Sequence, residues 1–213
     1  MPGYAVLDLE TTGFSPARGD RIVEIGIVSL DPAGDSEGEW GTLVNPQRNV
    51  GATRVHHITA RDVVAAPTMA ELAPQLIEVL RGRVLVAHNA SFDVPFLTAE
   101  LNRAGVHLPA AKLPQLCTMR LAPNFLVTPT RKLDDCCRAA GVSLVNAHSA
   151  LGDARATAML FAHYMHFRDM NGRTDMPGPA VWARWDAEVA RAERYAWPQA
   201  TCCDRPVHLV LRG

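Results

Sequence analysis

Nothing in this sequence marks it for a membrane or for export. No apolar run approaches the ~18 residues that a spanning helix needs. The opening Met1-Pro2-Gly3-Tyr4 has neither the basic stretch nor the apolar core of a secretory signal, so the expected location is cytoplasmic. Neither charge is in excess: 21 Lys and Arg stand against 22 Asp and Glu, a net charge of −1. That balance argues against a protein that coats long duplexes, which needs a basic surface to displace counterions. It is neutral toward an enzyme that grips only the end of a strand. Zinc-knuckle spacing is missing too. The five cysteines are Cys117 and the adjacent pairs Cys136–Cys137 and Cys202–Cys203, with no C-x-x-C among them. Their odd number points to free thiols in a reducing compartment. There is no internal repeat and no low-complexity tract.

What is present is ordinary globular material. The 213 residues are 48% hydrophobic and 20% charged, enough for one large domain and an appendage. Tyr4 to Glu10 is short and apolar and reads as a strand, followed by strands over 21–30 and about 38–44 that would form an antiparallel meander. Thr68 and Glu71 have capping-box spacing and open a helical pattern through Leu72, Leu76, Ile77 and Leu80, although Pro74 lies inside it. Val84 to Ala87 reads as a buried strand. A helix capped by Ser91 would follow to Ala104, with Pro95 in its first turn. Further helices are expected over 131–140 and from Ser149 to about Phe167. Three early strands, then strand–helix alternation, predict an α/β fold: a mixed sheet, antiparallel meander plus parallel strands, flanked by helices. Residues 171–179 read as a linker after a domain of residues 1–170. A helical appendage would occupy 180–213, with Trp182, Trp185, Val189 and Ala192 on one side. It would either fold back over an apolar face, the favoured arrangement, or dock on another protein. Residues 207–211 would supply an edge strand.

The chemistry is written in acids. Asp8 and Glu10 sit two apart on the first predicted strand, so both side chains point to the same face. Unpaired carboxylates are costly inside an apolar strand. They imply either a seat for a hard divalent cation or two solvated acids at a strand end. Thr11-Thr12-Gly13 follows, a turn in which backbone can approach a ligand closely. Together, Asp8-Leu9-Glu10-Thr11-Thr12-Gly13 resembles the first motif of the DEDDh exonucleases, a family that includes the proofreading epsilon subunit of bacterial DNA polymerase III. His88-Asn-Ala-Ser-Phe-Asp93 is similar to the second motif, and His148-Ser-Ala-Leu-Gly-Asp153 to the third. Each alone has a plainer reading, Asp93 as a helix-capping acid and the last pair as a chance spacing. Their order and local context together are specific, and they span residues 4 to about 160.

The resemblance implies a ribonuclease-H-like fold and a 3′→5′ exonuclease that releases nucleoside 5′-monophosphates. It assigns Asp8, Glu10, Asp93 and Asp153 as ligands of two divalent ions, Mg²⁺ or Mn²⁺, and His148 as general base. An imidazole suits that role because it can take up a proton near neutral pH. Thr11, Thr12, Gly13, His56, Ile58 and Phe92 would border the terminal nucleotide. For His56 the alternative is a solvated loop pair with His57, and for Phe92 it is packing. The expected partner is a nucleic-acid 3′ end, with a polymerase or homodimer contact through 180–196 as a further expectation. DNA is favoured because the first motif is more similar to proofreading domains. RNA-trimming relatives such as oligoribonuclease and ribonuclease T share all five residues, and sugar choice is not legible. A non-catalytic binding module is the remaining alternative.

Overall fold

A computed structural model describes residues 1–144, 148–169, 178–199 and 209–210. The predicted linker therefore lies almost wholly outside the described residues, as do Cys202, Cys203 and most of the C-terminal tail. In chain order the elements are β1 (Tyr4–Thr11), β2 (Ile22–Leu30), β3 (Ser36–Leu43), the single turns α1 (Thr53–His56) and α2 (Ala60–Val63), α3 (Met69–Leu80), β4 (Val84–Ala87) and α4 (Ala90–Arg103). Then come β5 (Gln115–Cys117), α5 (Thr118–Leu121), α6 (Leu133–Ala139), α7 (Ala150–Asp169) and α8 (Pro179–Arg194).

Among the described residues the strands form one sheet in the order β3-β2-β1-β4-β5. The first three pair antiparallel as the meander, whereas β4 and β5 run parallel to β1. This is the mixed α/β sheet that the patterning predicts, plus one strand it did not. β5 is three residues long and is defined by its pairing with β4, so it leaves no periodicity of its own.

Strand alternation sorts the core. The odd positions of β1, Ala5, Leu7 and Leu9, face a cluster closed by α3 and α4. The even positions, Tyr4 and Val6, face a second cluster closed by α6, α7 and α8. α3 starts at a complete capping box, in which Thr68 N–H donates to Glu71 Oε2 at 2.8 Å. It continues through Pro74 because Leu72, Ala73, Leu76, Ile77 and Leu80 all bury themselves on the sheet. α4 corrects the sequence reading in one detail. It starts at Ala90 with Asn89 at the N-cap, so Ser91 lies inside the helix and Pro95 falls beyond the first turn.

α8 closes the fold from the far end of the chain. Trp185 is 1% exposed and stacks on Phe161 of α7 with ring centroids 4.7 Å apart. Its indole N–H donates to the Tyr4 hydroxyl at 3.1 Å, tying the last helix to the first strand. The helix thus lies folded over the sheet, with Trp182 half-buried beside Trp185. Trp185→Ala should cost about 3–5 kcal/mol of stability, since a large cavity would open in the core. Urea denaturation reads this directly, and a loss of less than about 1 kcal/mol would mean that α8 adds little to the core. Of the predicted tail strand only Leu209 and Val210 are described. Val210 C=O accepts from Leu43 N–H at 2.8 Å, at the outer edge of β3. No helix among the described residues is long and apolar enough to cross a membrane.

Candidate active site

Asp8 and Glu10 extend the even face of β1 past Tyr4 and Val6, to where packed core gives way to a cleft. The register opposes Asp8 to Gly26 and Glu10 to Glu24 on β2. Gly26 decides what can lie above them. A Cβ at Gly26 would collide with the Ala150–Leu151 backbone, so the first turn of α7 rests directly on this glycine. Glu24, only 4% exposed, fixes the same turn by accepting the Ala150 N–H at 3.1 Å. A carboxylate suits this position, because the first N–H groups of a helix lack partners within it.

That seating brings Asp153 to β1. Asp8, Glu10 and Asp153 each offer a carboxylate oxygen, and the three lie within 4.8 Å of one another. Asp93 arrives from the first turn of α4 and is 4% exposed. The backbone of Leu9 on β1 and its own backbone act to lower its pKa, so its carboxylate lies close to β1. His148 stands just ahead of α7 with φ 68°, and its N–H donates to Asp153 Oδ2 at 3.3 Å. Its side chain is at the exposed rim. The structure therefore assembles all five motif residues at the C-terminal end of β1.

The electrostatics are those of a site short of positive charge. Burial raises the pKa of Asp8 well above its ordinary value, and Asp93, Asp153, Glu10 and Glu24 raise it further. Burial pushes Asp93 up to about 7, against the two backbone hydrogen bonds that stabilise its ionised form. Asp153 is raised as well, again mainly by burial, with His148 opposing. Hard carboxylate oxygens that resist ionising together fit a divalent cation of the Mg²⁺ or Mn²⁺ type.

The sign of the resulting pH dependence follows from linkage. Folded Asp93 holds its proton more tightly than the unfolded chain does, so metal-free stability falls as pH rises from about 4 toward 7. Asp93→Asn should therefore stabilise the metal-free protein more at pH 8 than at pH 5. Thermal melts of the pair in chelator measure this, and a gap that widened toward acid would refute it. Buried His88 acts the other way, since burial lowers its pKa and its neutral form is held between Thr118 Oγ1 at 2.9 Å and Arg131 C=O at 2.8 Å. The paired comparison cancels that contribution.

The residues expected at the terminal nucleotide differ in their surroundings. Thr11 is buried, and its hydroxyl donates to Gly13 C=O at 2.6 Å, tightening the turn. Thr12 bonds to Asp20 Oδ1 at 3.2 Å and accepts from Arg21 N–H at 3.1 Å. A side chain at Gly13 would strike Asp20. The first motif is thus a rigid loop, pinned through Arg21 to Glu100 of α4 at 2.9 Å, the helix that also carries Asp93. His56 is enclosed at 1% exposure rather than solvated, and its Nδ1 accepts from Ile58 N–H at 3.0 Å. Ile58 packs inward with Val23, Leu43, Val50 and Val63, so it lies beneath the surface expected to border the nucleotide. Phe92 packs on the core 5.0 Å from Phe96. Three residues of this region escaped the sequence reading: Glu24, Gly26 and Phe14. An acid in the apolar run Ile22-Val-Glu-Ile25 was a legible signal for the first. Phe14, 86% exposed just past Gly13, shows itself only by its solvent exposure.

Residues 5–161 match the sequence profile described as exonuclease, a span holding Asp8, Glu10, Asp93, His148 and Asp153. The chain belongs to the exonuclease family. Among the chain's relatives is the DNA polymerase III epsilon subunit of Treponema pallidum. It is 34% identical over 174 residues, covering 79% of this chain and 80% of the relative. The PolC-type DNA polymerase III of Clostridium perfringens is 37% identical over 177 residues, and there the match spans 81% of this chain but 12% of the relative. The fold is shared with Escherichia coli exonuclease I in complex with a dA16 oligonucleotide, at a TM-score of 0.68 and 18% identity over 78% of this chain and 41% of that one. It is also shared with the nuclease domain of 3′hExo, a DEDDh family member bound to rAMP, at a TM-score of 0.65 and 18% identity over 78% and 92% of the two chains. The chain thus has the ribonuclease-H-like mixed sheet of these neighbours.

Proposed function

We propose that this exonuclease removes nucleoside 5′-monophosphates one at a time from the 3′ end of DNA, in a reaction that depends on two divalent ions. One observation carries the reading: three carboxylates within 4.8 Å of one another, with Asp93 pressed against the same strand. Asp8, Glu10, Asp93 and Asp153 would hold the ions. When bound, Mg²⁺ or Mn²⁺ supplies charge stabilisation at the scissile phosphate and lowers the pKa of the attacking water. His148, at the open rim beside Asp153, accepts the proton of that water. The rigid Thr11–Gly13 turn positions the terminal nucleotide, and the exposed ring of Phe14 offers a stacking surface for a base.

Phe14→Ala should raise KM for oligonucleotides by roughly tenfold with little change in kcat, in line with the ~1–3 kcal/mol of one base–aromatic stack. Steady-state kinetics check this, and a loss confined to kcat would exclude stacking. The DNA reading is supported by relatives named as DNA polymerase III components. A polymerase docking through 180–196 would meet the exposed Ala183, Asp186 and Ala187, since Trp185 is buried in its own chain. Residues 1–170 would form the catalytic domain and 180–213 its appendage.

The deciding experiment is a time course on matched 5′-labelled single-stranded DNA and RNA, with Mg²⁺, with Mn²⁺ and with chelator. A metal-dependent ladder shrinking from the 3′ end, faster on DNA, is the expected result. Faster loss of RNA would reassign the enzyme as an exoribonuclease. No cleavage of either polymer by folded protein would overturn the proposal.

A further inference from the structure

An acid lies on the buried side of α4. Glu100 is 1% exposed, on a helix whose other buried residues include Phe96, Leu97 and Leu101. A carboxylate is costly to bury unless charge and hydrogen bonds answer it. Two arginines do so. Arg21, just ahead of β2, reaches both of its oxygens, Nε donating to Oε1 and Nη2 to Oε2, the latter at 2.9 Å. Arg103, three residues farther along α4, donates through Nη1 to Oε1 at 3.0 Å.

Both arginines lead to the same loop. Arg21 N–H donates to Thr12 Oγ1 at 3.1 Å, and Arg21 C=O accepts from Thr12 N–H at 2.8 Å. Arg103 Nη2 donates to Pro16 C=O at 2.7 Å, at the start of the single 3-10 turn Pro16–Arg18. Its Nη1 also reaches Asp20 C=O at 3.4 Å, and the Asp20 carboxylate accepts from Ser15 N–H at 3.0 Å. A Cβ at Gly51 would collide with Thr12 C=O, so the loop is confined there as well. Glu100 follows Asp93 by seven positions, about two turns of one helix and about 10 Å along its axis. One helix thus carries a carboxylate of the acidic site at one point and the anchor of the first-motif loop at another.

A buried ion pair adds little net stability over well-packed apolar side chains, so what this one supplies is geometry. Resting on the exonuclease reading above, we propose that Glu100 is a positioning residue for the reaction. It touches neither nucleic acid nor ion. Through Arg21 and Arg103 it fixes how far the Thr11–Phe14 turn, which seats the terminal nucleotide, stands from Asp93, which holds metal. A turn displaced by about 1 Å still binds a strand, but it sets the scissile phosphate off the line of attack.

The test reads turnover and loop order separately, both on the full chain. Glu100→Gln keeps the shape of the side chain and removes its charge. On a 5′-labelled single strand with saturating Mn²⁺, its kcat should fall roughly 10- to 100-fold while KM stays within about threefold. Calorimetric Mn²⁺ affinity should match the parent's, since no proposed ligand is altered. In hydrogen exchange, the amides of residues 12–20 should exchange about tenfold faster and those of β4 at the parent's rate. Arg21→Lys is the gentler variant, because it keeps the charge and gives up the two-pronged geometry, and its kcat should fall about tenfold. The two substitutions together should lose little more kcat than Glu100→Gln alone, since both act through one link. Unchanged kcat in both single variants would overturn the inference. So would faster exchange across the whole chain or a matching loss of Mn²⁺ affinity, because Glu100 would then merely hold the fold together. A folded parent chain that cuts nothing would count instead against the exonuclease reading, while the exchange arm still decides whether Glu100 anchors the loop.

Discussion

Asp8→Asn should lower cleavage by roughly 10³-fold or more, the rate equivalent of the several kcal/mol that metal coordination supplies to the transition state. The same variant should melt at a higher temperature than the parent when metal is chelated. Both follow from one cause. Asp8 is a carboxyl whose pKa is raised by burial and by four neighbouring acids, so keeping it in the folded protein at neutral pH costs stability. Asparagine has the same shape without the charge. Saturating Mn²⁺ reverses the order of melting temperatures, because the parent gains more from the ion than the variant does. Melts in chelator and in Mn²⁺, beside a single-turnover assay, give the three readings. An Asn variant less stable than the parent in chelator would mean that Asp8 is engaged in favourable contacts and not held against repulsion.

His148→Ala should slow the chemical step by about 10²–10⁴-fold and leave Mn²⁺ affinity nearly intact. Its backbone N–H, which donates to Asp153 Oδ2, survives the substitution, so the acid stays where it is. Calorimetric titration with Mn²⁺ and single-turnover rates at saturating metal separate the two effects. Matching losses of affinity in the His148 and Asp8 variants would dissolve the division between proton acceptor and ligand. The φ of 68° at His148 adds a control. Glycine relaxes that backbone where alanine does not, so His148→Gly should be as slow as His148→Ala if the imidazole matters and the turn does not.

Asp8 and Glu10 were legible as acids in an apolar strand, which a sequence tolerates where something compensates, whereas Asp93, His148 and Asp153 became legible through the order of the three motifs. Asp8 and Glu10 interrupt a strand whose other positions are core, whereas an acid at Asp93, in the first turn of a helix, reads by itself as an ordinary cap. The meander, β4 and the long helices were legible by period. What stayed hidden is what exists only in three dimensions. β5 is a strand because β4 lies beside it, and the inward turn of Ile58 depends on a cluster drawn from β2, β3 and α2. Glu24 was legible as an anomaly, but its partner, the Ala150 N–H, is 126 residues away, and no local pattern links them. Gly26 looked like an ordinary strand glycine until the backbone of α7 was seen resting on it.

That resting place governs when the carboxylate cluster can first assemble. As the chain leaves the ribosome, Asp8 and Glu10 emerge early and Asp93 midway, whereas Asp153 comes on α7, with His148 just ahead of it, and the first turn of that helix seats on Gly26 and Glu24 of β2. A nascent or prematurely terminated chain can therefore display the first two motifs without completing the cluster. The acidic cluster is thus completed in one late step, when the first turn of α7 takes its seat on β2.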